Sequence, residues 1–404
     1  MTNVMTKNQK RAVSAAIIAS GTDDLNLMFL SFTLSSITAE FALSGGQAGL
    51  IASITNLGML VGGLIFGYLG DRHNKMTMLK LTLLIFSLAT GSIFLAPNIT
   101  ILYLLRFIAG IGVGGEYGIA LSIIARLVPP VKIGQAASLN GVAGQIGSIL
   151  AAAIAGLFTS VFGWRGLFLF GLAPLAIVLY LQFMVDDEPA FVNADLDTKN
   201  KNRASLSDLF DSPKKAYHTV VLMLMCTVQI AGYFGMMNWL PTMMQAQAGL
   251  SISGSSWWMI ATILGMSLGM LVFGRCLDIF GPRLMFTIYL LASAVSVYVF
   301  TLANSNLALL IAGSVMGFFV NGMFPGYGAV VSRLYEARVH SLANNLILNV
   351  GRAVGGFSSV IIGIILESHG VATVMTFLAG LYLCSFVLML TLSDFKAKNY
   401  FAYL

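Results

Sequence analysis

The chain has 404 residues, of which 57% are hydrophobic and 9% charged, with a mean hydropathy of +0.87. So apolar a composition excludes a soluble globular protein and implies one that crosses a membrane many times. The net charge of +6 does not argue for nucleic acid, because the basic residues follow membrane topology rather than forming a patch.

In chain order, the apolar residues fall into twelve runs: 12–38, 46–70, 77–97, 99–127, 133–161, 164–184, 217–241, 254–277, 284–303, 306–334, 340–366 and 371–393. Runs of about 20 residues separated by short polar turns predict membrane-spanning helices, not the alternation of roughly ten residues seen in outer-membrane strands. Lys7, Lys10 and Arg11 precede the first run as they would in a signal peptide. That run is too long for one and holds Asp23 and Asp24, so it reads as a retained helix. With the N-terminus inside, nineteen of the twenty-two Lys and Arg fall on the inner side and only Arg165 outside, while Arg106 and Arg352 lie within runs. This asymmetry places both termini in the cytoplasm and requires an even number of spans. The expected location is the inner (plasma) membrane.

Run 2 is followed by Gly67-Tyr-Leu-Gly-Asp71-Arg72-His-Asn74-Lys75, and run 8, 207 residues later, by Gly274-Arg-Cys-Leu-Asp278-Ile-Phe-Gly281-Pro-Arg283. The same offset of 207 sets Gly110 on Gly317, Gly115 on Gly322, Gly144 on Gly351 and Gly163 on Gly370. One gap-free shift relating the halves predicts an all-α polytopic protein of two tandem six-helix repeats. The expected divisions are an N-terminal bundle (1–184), a polar cytoplasmic linker (185–216) and a C-terminal bundle (217–404).

Charges inside the runs are the candidate functional groups, because an ionised side chain at membrane depth costs at least ~2.5–3.5 kcal/mol and usually faces protein or a wet cavity. Asp23 and Asp24 lie near the middle of run 1, where a carboxylate is expensive to ionise, which suits taking up and releasing a proton. Neighbouring helix positions point about 100° apart, so the two face different surroundings. Run 4 contains Arg106-Phe-Ile-Ala-Gly-Ile-Gly-Val-Gly-Gly-Glu-Tyr-Gly118. Arg106 sits about 10 Å to the outer side of that helix's centre, and Glu116 about 15 Å further along, too far for direct pairing. Glu116 is a further protonatable candidate. Arg352 falls at mid-depth in run 11, where no acidic residue accompanies it in its half; it is either a bidentate site for a carboxylate or a brace for its helix. Gln145, Gln229, Tyr233, Asn238, Trp239, Asn321, Tyr327, Asn345 and Asn349 are polar or aromatic at span depth, as pocket lining or as interhelical hydrogen bonds.

Asp71-Arg72 with the preceding glycines, and its second copy, resemble the loop 2–3 motif of the major facilitator superfamily, and Arg106 with its glycines resembles that superfamily's helix 4 motif. Residues 106–116, Gly163-Trp-Arg165, Trp239-Leu-Pro241 and Gly351-Arg352 further resemble its metabolite–proton symporters, among them aromatic-acid, niacin and sialic-acid carriers. The resemblance implies a proton-coupled importer of a small organic acid working by alternating access. Its partners would be the substrate, protons and membrane lipid, and it would be monomeric and without cofactor. The resemblance implies Asp24 as proton carrier, with Asp23, Arg106 or Glu116 assisting and Arg106 as counter-ion. It also implies an anion site at Arg352, and gating by Gly67, Asp71 and Arg72 and by Gly274, Asp278 and Arg283. Three departures are Asn74 for the usual glycine, where Asn can partly mimic left-handed geometry, Met76 for a basic residue, and Gly21 where the resembling symporters often carry the first aspartate of an Asp-x-x-Asp pattern ending at Asp24. A drug or metabolite exporter is less well matched, since residues 140–147 lack the proline of a helix 5 Gly-Pro pair; a sugar–proton symporter stays open if Arg352 is a brace.

Two motif matches carry no chemistry. Gly110-Ile-Gly112-Val-Gly-Gly115 fits a dinucleotide fingerprint but follows no strand, and its glycines, with Gly114 and Gly118, are expected at helix contacts. Gly265-Met-Ser267-Leu-Gly269 fits a hydrolase elbow but lies inside run 8, with no histidine at membrane depth. The four histidines sit at span ends, and Cys226, Cys276 and Cys384 form no ligand pattern. Neither an enzyme nor a metal site is expected.

Overall fold

The computed structural model describes residues 5–70, 73–128, 133–186, 206–303, 305–335 and 340–401. Among the described residues there is no strand. The helices are α1 (Lys7–Glu40), α2 (Gly45–Gly70), α3 (Lys75–Ser92), α4 (Ile99–Leu127), α5 (Ile133–Leu167), α6 (Leu175–Met184), α7 (Pro213–Ala248), α8 (Ile252–Phe280), α9 (Pro282–Phe300), α10 (Asn306–Gly322), α11 (Phe324–Leu334), α12 (His340–Gly355), α13 (Ser358–Thr391) and α14 (Ala397–Phe401).

Local chemistry sets many of these boundaries. Thr6 and Gln9 close a capping box on α1, Asn98 caps Ile101 N at 3.0 Å on α4, and Ser212 caps Lys215 N at 3.3 Å on α7, each satisfying a backbone donor the helix leaves open. Asn74 behaves differently from the expectation. Its φ is −59°, not left-handed, and its Oδ1 accepts from Met76 N at 2.8 Å. It therefore serves α3 as an N-cap, a role its carbonyl oxygen fills and a glycine could not.

Nine described stretches are long and apolar enough to cross a membrane, and two of them, Leu139–Met184 and Leu346–Thr391, are 46 residues each. Within each the helix changes direction at a glycine, Gly163 (φ 65°, ψ −178°) or Gly370 (φ 77°, ψ −177°). That backbone region is essentially open only to glycine, so the chain turns where the sequence separates runs 5 and 6 and runs 11 and 12. The polar residues Thr22, Asp23, Asp24 and Asn26 lower the hydropathy of α1, which is not among the nine. Three runs are less regular than expected. Run 6 contains a 3-10 segment at Phe168–Leu172 before α6, run 10 breaks at Met323, and run 11 is interrupted between Gly355 and Ser358. At the run 10 break, Pro325 in the first turn of α11 has no N–H to continue the helical ladder.

The chain divides into two compact units: residues 1–43, 50–199 and 251–257, and residues 44–49, 200–250 and 258–404. In the first, α2 packs on α4 with Gly58 against Phe107 O, Gly62 against Ile111 O and Gly110 against Thr55 O. In the second, α8 packs on α10 with Gly265 against Ser314 O, Gly269 against Phe318 O and Gly317 against Thr262 O. These are the same contacts shifted by 207 residues. Lipid supplies little hydrophobic drive between helices, so small residues that admit close backbone approach hold such pairs together. Gly112 and Gly115 likewise back onto Phe86 and Phe66. Gly118 does not fit that expectation, for open space lies beyond it.

One polar clasp ties the end of α1 to the turn at Gly163. Trp164 Nε1 donates to Glu40 Oε2 at 2.6 Å, Arg165 pairs with Glu40 Oε1, and Arg165 Nη2 reaches Ala96 O at 3.1 Å. The hydrogen bond from Arg165, helped by that from Trp164, holds the Glu40 carboxyl below the usual carboxylate range.

Candidate functional site

Inside the first unit, α1 and α4 bring three carboxyl groups together. Glu116 is fully buried and Asp23 is 5% exposed. Ser20, one turn before Asp23 on α1, donates to Glu116 Oε1 and Oε2 at 3.4 and 3.5 Å. The Asp23 and Asp24 side chains lie close enough to Glu116 for both to act on it electrostatically. Carboxylates so close in a buried site repel one another, so ionising all three together is unfavourable. The adjacent aspartates face different helices, as the helical turn requires. Asp23 meets α4 at Glu116, whereas the Asp24 carboxylate lies against Gly144 on α5. Room for that carboxylate depends on glycine, since a Cβ at Gly144 would run into Asp24 Oδ2. Close backbone approach at Gly21, whose Cβ would meet Ala143 O at 2.8 Å, sets α5 tightly on the acidic stretch of α1.

The structure does not bring Arg106 into this cluster. Arg106 is 2% exposed on α4 and its Nε donates to Thr55 Oγ1 of α2 at 3.2 Å. The ion pairs among the described residues involve Arg165, Lys214, Lys215, His218 and Arg333.

Gln145 is buried on α5 in the first unit. The other expected lining residues lie in the second unit on four helices. Asn238 Nδ2 donates to Ser359 Oγ at 3.2 Å and Trp239 Nε1 to Ser359 O at 2.9 Å, which fastens α7 to the start of α13. Gln229 Nε2 donates to Val320 O at 2.6 Å, and Tyr327 OH to Met225 O at 3.3 Å. Asn321 Nδ2 approaches Met266 Sδ at 3.8 Å. These side chains hold helices together, as interhelical polar groups commonly do. Tyr233 is half-buried, edge-on to Phe234 at 5.1 Å, and Asn349 and Arg352 are half-buried on α12. Arg352 lies near Cys226 of α7. The Asn345 side chain lies outside the described residues.

Of the gating residues, Gly67 is in the last turns of α2, while Asp71 and Arg72 lie outside the described residues. Gly274 and Asp278 are on α8, and Asp278 Oδ1 is 4.0 Å from Arg333 Nη2. Arg283 instead donates from Nη2 to Leu390 O at 3.1 Å. Tyr400 of α14 lies under the Arg333 guanidinium at 4.6 Å. Sequence reasoning missed Ser20, Thr55, Ser359 and Arg333 in these settings. Ser20 was findable, being three positions before Asp23 on one helical face; the others come from different helices and had no local signal.

Comparison with known proteins gives one consistent answer. The model of the Major Facilitator Superfamily matches residues 16–255 and 222–400. A putative metabolite transport protein of Haemophilus influenzae is 31% identical over 95% of both chains. The putative niacin/nicotinamide transporter NiaP of Bacillus subtilis is 26% identical over 90% of each, and the cis,cis-muconate transport protein of Acinetobacter baylyi 25% over 88% of this chain and 87% of its own. Among solved structures, the D-xylose–proton symporter superposes with a TM-score of 0.80 at 18% identity, covering 96% of this chain and 98% of that one.

Proposed function

Because the chain belongs to the major facilitator superfamily and is a multi-pass membrane transporter, we propose that it is a proton-coupled symporter importing a small organic acid across the inner membrane by alternating access. The observation that carries the coupling is the buried grouping of Asp23 and Glu116, with Ser20 donating to Glu116 and Asp24 nearby. With every carboxyl of the cluster ionised, two buried negative charges would lie near each other and near a third, which is a strongly unfavourable arrangement. Protonation is therefore linked to the packing of α1 on α4, and a linkage of that kind is what symport needs.

An organic-acid substrate is supported by relatives named for niacin and muconate, and by Arg352 as a cation at span depth in α12. In this reading Gln145, Tyr233, Asn238, Trp239, Asn321, Tyr327 and Asn349 contribute to substrate binding. Gly67, Asp71 and Arg72 and their repeat copies Gly274, Asp278 and Arg283 take part in gating, with Arg333 as the partner of Asp278. The chain makes twelve crossings in two six-helix bundles, works as a monomer and keeps both termini in the cytoplasm, as the basic-residue asymmetry supports.

Uptake into proteoliposomes of labelled benzoate, nicotinate and cis,cis-muconate under an inward proton gradient tests the reading, with wild type compared against Glu116→Gln and Asp24→Asn. Wild type should accumulate one of the acids. The variants should lose accumulation but keep exchange of that acid. Loss of accumulation and exchange alike would make the cluster structural, and movement of a sugar or a cation in place of every acid would reject organic-acid import.

A further inference from the structure

We propose that the C-terminal segment 393–401 is a strap that positions Arg333 for the gating aspartate Asp278, and that protonation of His218 tightens its fastening. The inference rests on the gating reading above and adds to it two positioning residues, Tyr400 and Asp394.

The pair of Asp278 and Arg333 needs support from outside itself. Arg333 Nη2 stands 4.0 Å from Asp278 Oδ1, and the Asp278 side chain is 73% exposed. A pair so open to solvent gains little from its own attraction. Tyr400 of α14 supplies a backing for the guanidinium, since it is 1% exposed and its ring centroid lies 4.6 Å from Arg333 Cζ. The negative face of the ring attracts the cation, and a planar guanidinium stacked in this way keeps its edges for a carboxylate.

The other end of the strap is fastened to α7 and α9. Phe395 is fully buried, with its ring 5.6 Å from that of Phe286 on α9. Asn399 Nδ2 donates to Ser393 O at 2.9 Å and folds the strap on itself. Asp394 is the anchor, with Lys214 Nζ of α7 3.0 Å from Oδ1 and His218 Nδ1 3.4 Å from Oδ2. The Lys214 side chain is 62% exposed and that of His218 10%, so the contact shielded from solvent is the one with His218. Tyr400 is six positions beyond Asp394, and a shift at the anchor therefore carries to Arg333.

The first unit makes the corresponding fastening without a titrating group. Lys7 and Arg11 stand 207 residues before Lys214 and His218, and Arg11 Nη1 donates to Met184 O at the end of α6 at 3.0 Å. Arginine stays charged throughout the physiological range, whereas the ordinary titration of an imidazole falls between about pH 5 and 8. Neutral, His218 offers Asp394 at most an ordinary hydrogen bond; protonated, it offers a charge-assisted one, roughly twice as strong. Burial opposes that proton, Asp394 of the strap favours it, and Lys214 on its own helix opposes it. The neighbouring groups are turned elsewhere: Lys215 to Asp211 at 2.8 Å, Arg283 of α9 to Leu390 O at 3.1 Å, and Tyr335 OH to Thr219 Oγ1 at 2.6 Å. The fastening is thus tight at low pH and loosens as pH rises through the titration of His218.

The test is amide hydrogen exchange of the purified full-length protein in detergent, corrected for intrinsic rates. It is read at residues 274–280, which carry Asp278, and at residues 331–335, which carry Arg333. Tyr400→Leu should speed exchange at both stretches by about twofold to tenfold, on the scale of a cation–π contact. Wild type should be better protected there at about pH 5 than at about pH 8. His218→Arg, which copies the first unit, should stay protected at both, and His218→Gln should be as weakly protected at both as wild type is at the higher pH. If Tyr400→Leu and His218→Gln loosen residues 393–401 while residues 274–280 keep wild-type protection, the strap is packing only and the inference is overturned. An equal pH response in wild type and His218→Arg would overturn the part of His218. Should Tyr400→Leu not fold, the two His218 variants decide. Uptake in proteoliposomes separates this inference from its premise: Asp278→Asn with wild-type uptake would reject the gating reading, and the strap's place in transport with it, even where the hydrogen-exchange pattern is as expected.

Discussion

The two units share one packing scheme and differ in the charges set into it. Gly144 of α5 and Gly351 of α12 are repeat partners, and each faces the helix that opens its half of the sequence. In the first unit the space left by the glycine receives the Asp24 carboxylate; in the second it receives Ile230 and Cys226. Asp23 and Asp24 correspond to Ile230 and Ala231, Glu116 to Met323, Arg106 to Gly313 and Gln145 to Arg352. Every carboxylate of the first unit's cluster thus has an apolar counterpart. The glycine frame is common to both halves, whereas the acidic cluster belongs to the first.

The sharpest way to break that comparison is to add one methyl group at the paired glycines. Gly144→Ala should displace the Asp24 carboxylate and abolish proton-driven accumulation in vesicles. Gly351→Ala should keep coupling, because its Cβ would meet the far end of the Ile230 side chain, Cδ1, at 2.8 Å and Cys226 Sγ at 3.2 Å, at an overpacking cost of about 1 kcal/mol. Equal effects on coupling would mean that the glycine, not the carboxylate, is what matters.

A second pair should behave alike in both units. Gly163 and Gly370 have open space where a Cβ would go, so Gly163→Ala and Gly370→Ala test backbone conformation alone. Each should lower stability by about 1–3 kcal/mol, read as a thermal shift of the purified protein in detergent. A much smaller loss at either site would show that its turn is not held in the glycine-only region.

The smallest expected effect belongs to the clasp at the end of α1, which carries pH dependence. Because Glu40 is held below its ordinary value by Arg165, its contribution is present above the unfolded-state value of about 4.3 and fades as pH falls through the lowered folded-state value. The Glu40 side chain is 43% exposed, so the gain is that of a solvent-screened pair, about 0.2–1 kcal/mol. Unfolding midpoints of wild type and Glu40→Gln should differ at pH 7 and converge below about pH 4. A constant difference across that range would remove Glu40 as its source.

Much of the fold was legible in the chain. Apolar run length marked the helices, the offset of 207 related the halves, and the glycines at 163 and 370 marked the turns between paired spans. These are local or periodic properties, set by helical rise and by what backbone a glycine allows. The breaks at Met323 and before Ser358 were less visible because each lies inside an unbroken apolar run. Asn74 was misjudged for a related reason: an asparagine permits either a left-handed turn or a cap, and the start of α3 selects the cap.

For the candidate site, sequence by itself determined which ionisable groups stand at membrane depth and how far apart they are along each helix, because the rise per residue is constant. Ten residues of helix are enough to keep Arg106 and Glu116 from pairing, whatever surrounds them. Only tertiary structure decided which way each group turns and what it meets: Asp23 toward Glu116, Asp24 toward Gly144, and Arg106 toward Thr55. Depth is a property of one helix, whereas a partner depends on the rotation and spacing of two, and those follow from the whole set of glycine contacts that packs α1, α2, α4 and α5.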